Sequence, residues 1–460
     1  MTSASSASSG SDPLAPLRSR SYLVLLVLAA IIGAPISAAA FGFLALVSHL
    51  QGWIFISLPK AAGLGAEPLW WPLPWLALAG ILVALTIRYL PGTAGHRPAE
   101  GFKAGGAPGP AELPGVLLAA LATLCLGVVL GPEAPLIALG GGLAICAVRL
   151  AKRDAPPQAR TTVAAAGSFA AVSALFGSPL PAAFLLMEAS GVAGATLELV
   201  LVPGLLAAGI GSLIFLGLGH WTGLGTFSLT IPHLPHVGTP DAAEFGWALV
   251  IGVAAAFLGH GIRRLGLVLQ AVVERRMLLI MPVAGLAIAG LAAAYGAGSG
   301  RGPSDVLFSG QNALGPLITH GASYTAAVLV LLVACKGLAY CVSLSGFRGG
   351  PVFPTLLIGA AGGIALSHVP GLHLIPGAAM AMGALFTTVL GLPLTAVLLV
   401  TLFLGSDGVA VMPLVIVAVV VAFVLSARLA PPSAGQPPGP APAGDQDVSA
   451  ASSAPPGPGG

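Results

Sequence analysis

Glu133, Glu188 and Glu198 lie in or beside strongly apolar stretches of this 460-residue chain. A carboxylate at membrane depth is costly and marks a proton relay, an ion path or a gate. Glu133 is the most informative of them, because it stands inside Gly131-Pro132-Glu133-Ala134-Pro135. Proline near a helix start loses nothing by lacking an N–H, and its fixed φ suits the first turn. The free amides that follow, with the positive end of the helix dipole, suit an anion. An ionised Glu133 would fill that anion site itself, and a protonated one could swing away. That is the chemistry of a gate, and also of a proton carrier. Glu198 can snorkel or face a helix partner and receives no role. Lys336, the main intramembrane cation, either draws anions inward or neutralises a nearby carbonyl or acid.

The element that positions Glu133 occurs twice. The pattern G-P-x-x-P-x-x-x-x-G runs from Gly131 to Gly140 and again from Gly350 to Gly359. Phe176-Gly177-Ser178-Pro179-Leu180 follows the first copy, and Leu390-Gly391-Leu392-Pro393-Leu394 follows the second. The chain therefore reads as two related halves, about 21–222 and 242–426, joined around 231–239. Gly/Pro-interrupted apolar segments at matching places in two halves point to a substrate site where broken helices meet. Segments 136–150 and 393–404 are too short to span comfortably, as half-helices starting in mid-membrane would be. Two Gly/Pro kinks in a packed bundle are the alternative, and the duplication argues against it.

Hydrophobic residues make up 56% of the chain and charged residues 7%, against about 25% charged in a soluble domain. Lipid must therefore be the solvent for most of the surface. Apolar runs at 22–47, 69–90, 113–130, 192–218, 245–267, 277–295, 325–344 and 411–425 include several of spanning length. Without an alternating barrel pattern, helices are the spanning elements, so the fold class is all-α and polytopic. Residues 1–20 and 430–460 have the composition of disordered tails flanking a transmembrane domain at 21–429. The first apolar run is too long for a cleaved signal and reads as a retained helix. Arg18 and Arg20 favour a cytoplasmic N-terminus, and Arg149, Lys152, Arg153, Arg263, Arg264, Arg275 and Arg276 mark further cytoplasmic loops. The net charge of +3 gives no case for nucleic acid. Cys125, Cys146, Cys335 and Cys341 form no C-x-x-C pair and read as packing residues, so no metal or other cofactor is expected. No H-E-x-x-H, G-x-S-x-G or P-loop pattern points to an enzyme.

Gly131-Pro132-Glu133-Ala134-Pro135 resembles the G-[RK]-E-G-P signature of the CLC family of chloride channels and proton-coupled chloride exchangers. Gly349-Gly350-Pro351-Val352-Phe353-Pro354 resembles its G-G-I-F-A-P element, and Phe176 to Glu188 is similar to its F-N-A-P-L-A-G-x-x-F-x-x-E. The resemblance, in order and spacing from about 22 to 428, implies two oppositely oriented halves and a homodimer with one anion pore per subunit. Glu133 matches the gating glutamate, and Gly131, Ala134, Gly350, Val352 and Phe353 fall around the anion. The family's first anion motif, G-S-G-I-P, should lie near 92–98; aligned on Pro98, its serine falls at Gly95, which lacks a hydroxyl. Pro351 removes one amide donor, and no Tyr follows the last apolar run. The exchangers' inner proton glutamate falls at Ala189, one residue from Glu188, a step that rotates a helical side chain by about 100°. No nucleotide-binding regulatory pair is expected after Ser426. These features imply passive or weakly coupled movement of chloride or a similar small anion past Glu133, across a membrane of the bacterial inner type. A proton-coupled exchanger, with Glu188 as a possible proton path, and a non-conducting relative are the alternatives.

Overall fold

The computed structural model describes residues 16–64, 68–102, 106–151, 156–190, 195–223, 231, 234 and 240–430. Lys152, Arg153, most of the expected linker, nearly all of both tails and the Glu198 side chain lie outside them. Helix α1 (Arg20–Gly52) continues through a wide π-turn at Trp53–Ser57 into α2 (Leu58–Ala61). The rest of the first half comprises α3 (Pro72–Tyr89), α4 (Leu113–Cys125), α5 (Glu133–Ala151), α6 (Pro157–Phe176), α7 (Pro179–Ser190) and α8 (Ala195–Thr222). Then come α9 (Ala242–Arg275), α10 (Met277–Ser299), α11 (Gln311–Thr319) and α12 (Ala326–Leu344). The chain closes with α13 (Val352–Leu366), α14 (Leu374–Leu390), α15 (Pro393–Phe403) and α16 (Gly408–Leu429).

Among the described residues, nine helical stretches are long and apolar enough to cross a membrane, while α4, α13, α14 and α15 are shorter. The chain is thus an all-α polytopic bundle. Helix starts are written in the sequence: the Ser19 hydroxyl accepts from the Tyr22 amide at 3.2 Å, and Asp241 with Glu244 forms a reciprocal capping box. The segment expected at 136–150 is part of the 19-residue α5, which is long enough to cross. Its first residue is nevertheless fully buried, so α5 begins inside the bundle and not at its surface.

The two copies of the motif have the same neighbours. Helix α5 packs on α6 as α13 packs on α14, α6 on α8 as α14 on α16, and α1 on α8 as α9 on α16. The closest of these approaches rest on glycine. A Cβ at Gly140 would strike the Gly167 carbonyl of α6, and a Cβ at Gly363 would strike the Gly377 carbonyl of α14. Small residues let transmembrane backbones approach this closely where no hydrophobic force drives helices together.

Gly140→Ala should therefore destabilise the bundle by about 1–3 kcal/mol, read as a lower melting temperature and less monodisperse protein in detergent. Gly42→Ala, where a Cβ meets nothing within 4 Å, should change neither. Equal melting of the two variants would show that the α5–α6 contact relaxes at no cost.

Candidate anion site

Helices α5 and α13 begin against each other. The Gly131 amide donates to the Gly350 carbonyl at 2.7 Å, and the Gly350 amide donates to the Gly131 carbonyl at 2.6 Å. Pro132 and Pro351 follow without N–H groups, so the chain turns into each helix with no stranded donor there. The Gly131 and Gly350 amides therefore serve each other. A Cβ at either glycine would collide with the Glu133 carboxyl group, so both positions require glycine for close approach.

Glu133 opens α5 and is fully buried. Its Oε1 accepts from the Phe353 amide in the first turn of α13 at 3.1 Å, across 220 residues of sequence. Its Oε2 has no hydrogen-bond partner. A carboxylate so placed lies where the first-turn amides and dipole of α13 favour negative charge. Around it the wall is apolar and aromatic. The Phe353 ring sits 6.2 Å from Phe176 and 6.4 Å from Phe403, centroid to centroid. Val352 is fully buried at the start of α13, and the Tyr340 hydroxyl of α12 approaches the Pro351 carbonyl at 3.5 Å.

Two cavities flank this point. The first, about 720 Å³, is lined by Gly95, Val116, Ala134, Arg160, Arg348 and Pro351 among others. The second, about 450 Å³, is lined by the end of α1, by Leu130 and Pro132, and by residues 304–313. Helix α4 runs from one to the other, with Val116 and Ala120 on the first and Leu124 on the second. Glu133 lines neither, although its neighbours Pro132 and Ala134 line one each, so its carboxyl group stands between them.

Gly95 lies in the first cavity wall with φ +88°, its amide donating to the Gly92 carbonyl at 3.0 Å. Thr93 and Ala94 before it also have positive φ, 49° and 58°, a costly conformation for residues with a Cβ. The Arg348 Nη2 holds this segment by donating to the Thr93 carbonyl at 3.1 Å. Its Nη1 donates to the carbonyls of Gly346 at 3.0 Å and Phe347 at 3.4 Å.

Glu188 is engaged elsewhere. Its carboxylate accepts from the Leu394 amide at 3.0 Å, the Thr395 amide at 2.8 Å and the Thr395 hydroxyl at 2.6 Å, and so caps α15. It lines neither cavity. Fully buried Lys336 takes the second of the two roles weighed from sequence. Its Nζ donates to the carbonyls of Asp305, Val306, Leu307 and Phe308 at 3.2, 2.8, 3.1 and 3.3 Å, fixing a wall of the second cavity. Among the described residues no cluster of His, Cys, Asp or Glu could hold a metal, and the four cysteines are free thiols. Lys336→Met should leave these buried carbonyls without a donor and destabilise the protein by about 1–3 kcal/mol. Thermal melting in detergent checks this, and an unchanged melting temperature would contradict it.

Residues 78–427 match the family model described as voltage gated chloride channel. A putative ion-transport protein, YfeO, of Escherichia coli O7:K1 is 30% identical over 364 residues, spanning 77% of this chain and 81% of that protein. The YfeO of Salmonella paratyphi A is 33% identical over 361 residues, spanning 76% and 82%. In fold, the chain is similar to a slow cyanobacterial Cl⁻/H⁺ antiporter (TM-score 0.70, 20% identity, 88% of this chain and 94% of that one). It is also similar to a CLC-type fluoride/proton antiporter (TM-score 0.62, 22% identity, 88% and 95%). With the paired helix starts and the buried glutamate between two cavities, these matches lead to one assignment: the chain is a multi-pass membrane protein of the voltage gated chloride channel family, the CLC proteins.

Proposed function

We propose that the chain conducts chloride or a similar small anion between its two cavities past Glu133, in a channel-like or weakly coupled way, and catalyses no chemical reaction. One observation carries this reading. The Glu133 carboxylate lies on the Phe353 amide, between the cavities, with one oxygen unpartnered. Ionised, it holds the place of the anion and closes the path. Protonated, it loses its charge attraction to the α13 terminus and can turn toward a cavity. An anion then takes the Phe353 amide, with Val352 and Ala134 beside it, while Gly131 and Gly350 keep the two helix starts in place and Gly95 walls the approach. The positive-inside bias supports a cytoplasmic first cavity: Arg160 and Arg348 line it, and the nearby Arg97 pairs with Glu274 at 2.7 Å just ahead of Arg275 and Arg276. Membership of the family supports a homodimer with one such path in each subunit.

Weak coupling is supported by Glu188, whose carboxylate is held by three donors at the start of α15 and lines neither cavity. A second reading, a proton–anion exchanger, has its own support: Glu133 faces the anion site from a position where it can take a proton. Two proteins of similar fold are described as antiporters.

Chloride efflux from proteoliposomes, with proton movement recorded alongside, tests both. Flux through the unsubstituted protein should rise as pH falls, because protonation opens the path, and Glu133→Gln should conduct at a constant rate across pH. Unchanged pH dependence in that variant would place the gate elsewhere. Uphill proton movement driven by a chloride gradient, and abolished by Glu188→Gln, would establish the exchanger and overturn weak coupling.

A further inference from the structure

Arg263 and Arg264 stand inside α9, and not in a loop as expected from sequence. Both residues are exposed. The surface around them is apolar in both directions along the helix. Phe257 and Leu258 are exposed before them, and Leu265, Leu267, Val268 and Val272 are exposed after them, ahead of the closing Arg275. Phe257, Gly261, Arg264 and Val268 follow one another at spacings of three and four residues, so they share one stripe of the helix. A Cβ at Gly261 would meet nothing within 4 Å, so this stripe is recessed one turn before Arg264.

The length of α9 sets the depth of the pair. From Phe245 to Val272, the first and last large apolar residues exposed on it, the helix rises about 40 Å, the thickness of a bilayer with its headgroup zones. Arg263 lies about 27 Å along that run, so the pair meets lipid from within the apolar surface and not beyond its end. A charge at that depth is costly unless an opposite charge meets it. Among the described residues no carboxylate pairs with either arginine. The two acids of α9 are committed elsewhere. Glu244 belongs to the capping box and meets the His373 ring at 2.7 Å, while Glu274 pairs with Arg97 at 2.7 Å and accepts from Gln270 at 2.9 Å. In a twofold contact through this stripe, a second copy of the chain would bring the same arginines and add to the charge. A lipid phosphate would balance it.

We infer that Arg263 and Arg264 form a binding site for the headgroup of an anionic phospholipid, whose acyl chains run along Phe257 and the recess at Gly261. Guanidinium groups suit a phosphate because their planar forks donate two parallel hydrogen bonds. Their long apolar stems let the charges reach the headgroup level from a backbone that lies deeper. Leu265, Val268 and Val272 then lie in the headgroup zone, with Arg275 and Arg276 at its outer edge. The site stands whatever passes Glu133.

Native mass spectrometry of the purified full-length protein tests the assignment, with titration by phosphatidylglycerol and separately by phosphatidylcholine of the same acyl chains. The unsubstituted protein should bind phosphatidylglycerol more tightly, by about fivefold for each of the two arginines. Replacing both, Arg263→Gln with Arg264→Gln, should remove most of that preference. Arg275→Gln with Arg276→Gln removes the same charge about 18 Å further along the axis, beyond a Debye length, and should leave most of it. Melting temperatures identify variants that have lost their fold. A folded Arg263 and Arg264 variant with its preference intact would overturn the assignment. So would an equal loss in the two double variants, which would make the attraction a matter of net charge alone. An unsubstituted protein that binds both lipids equally would overturn it without any variant. A changed number of copies with unchanged lipid binding would assign the face to contact between copies instead.

Discussion

Two amide hydrogen bonds, from Gly131 to Gly350 and back, fix the geometry on which the rest of the site depends. They bring the N-termini of α5 and α13 together inside the bundle, where each terminus carries about half a positive charge. Two such ends would repel each other without a negative charge between them. Together they amount to about one unit, which one carboxylate or one monovalent anion balances. The two cannot both be accommodated, so competition between Glu133 and the anion follows from the way the helices are joined. The duplicated motif is unequal in this respect. The first copy supplies the carboxylate, and the second supplies the amide of Phe353 that receives it.

Several polar groups in the apolar bundle are matched to partners on other elements. Lys336 gathers four carbonyls and so holds the second cavity's wall. Glu188 satisfies the first turn of α15. Arg348 ties the left-handed segment at Thr93 to the start of the second motif. Glu133 departs from this matching, with one buried oxygen left over between the cavities; the uncharged Trp75, Ser212, Gln270 and Thr387 also keep a buried polar atom without a partner. In a low-dielectric interior such leftovers are unfavourable unless a mobile species completes them. At Glu133, where the group is also a carboxylate between two cavities, that is the physical content of the proposed gate.

The composition and the spacing of the two G-P-x-x-P motifs were enough to read the helical class, the duplication and the identity of the central carboxylate. What they could not convey was pairing across the fold. Nothing local in Gly131 says that its amide faces Gly350. Glu188 was weighed by its phase on α7, whereas its role is decided by Leu394 and Thr395 on another helix. Arg348 does carry a local signal, as an arginine immediately ahead of Gly349-Gly350-Pro351. Lys336 could be narrowed to two roles, and only the fold of residues 305–308 chose between them.

The central claim is that a carboxylate and an anion compete for the same helix terminus. Its most direct test is the position of bromide, by anomalous scattering, in crystals of the unsubstituted protein at high pH and of Glu133→Gln. The account predicts no bromide on the Phe353 amide in the first, and in the second a peak within hydrogen-bond reach of that amide, where the carboxylate oxygen had been. Bromide on the Phe353 amide with Glu133 still in place, or no bromide there once the charge is removed, would contradict it.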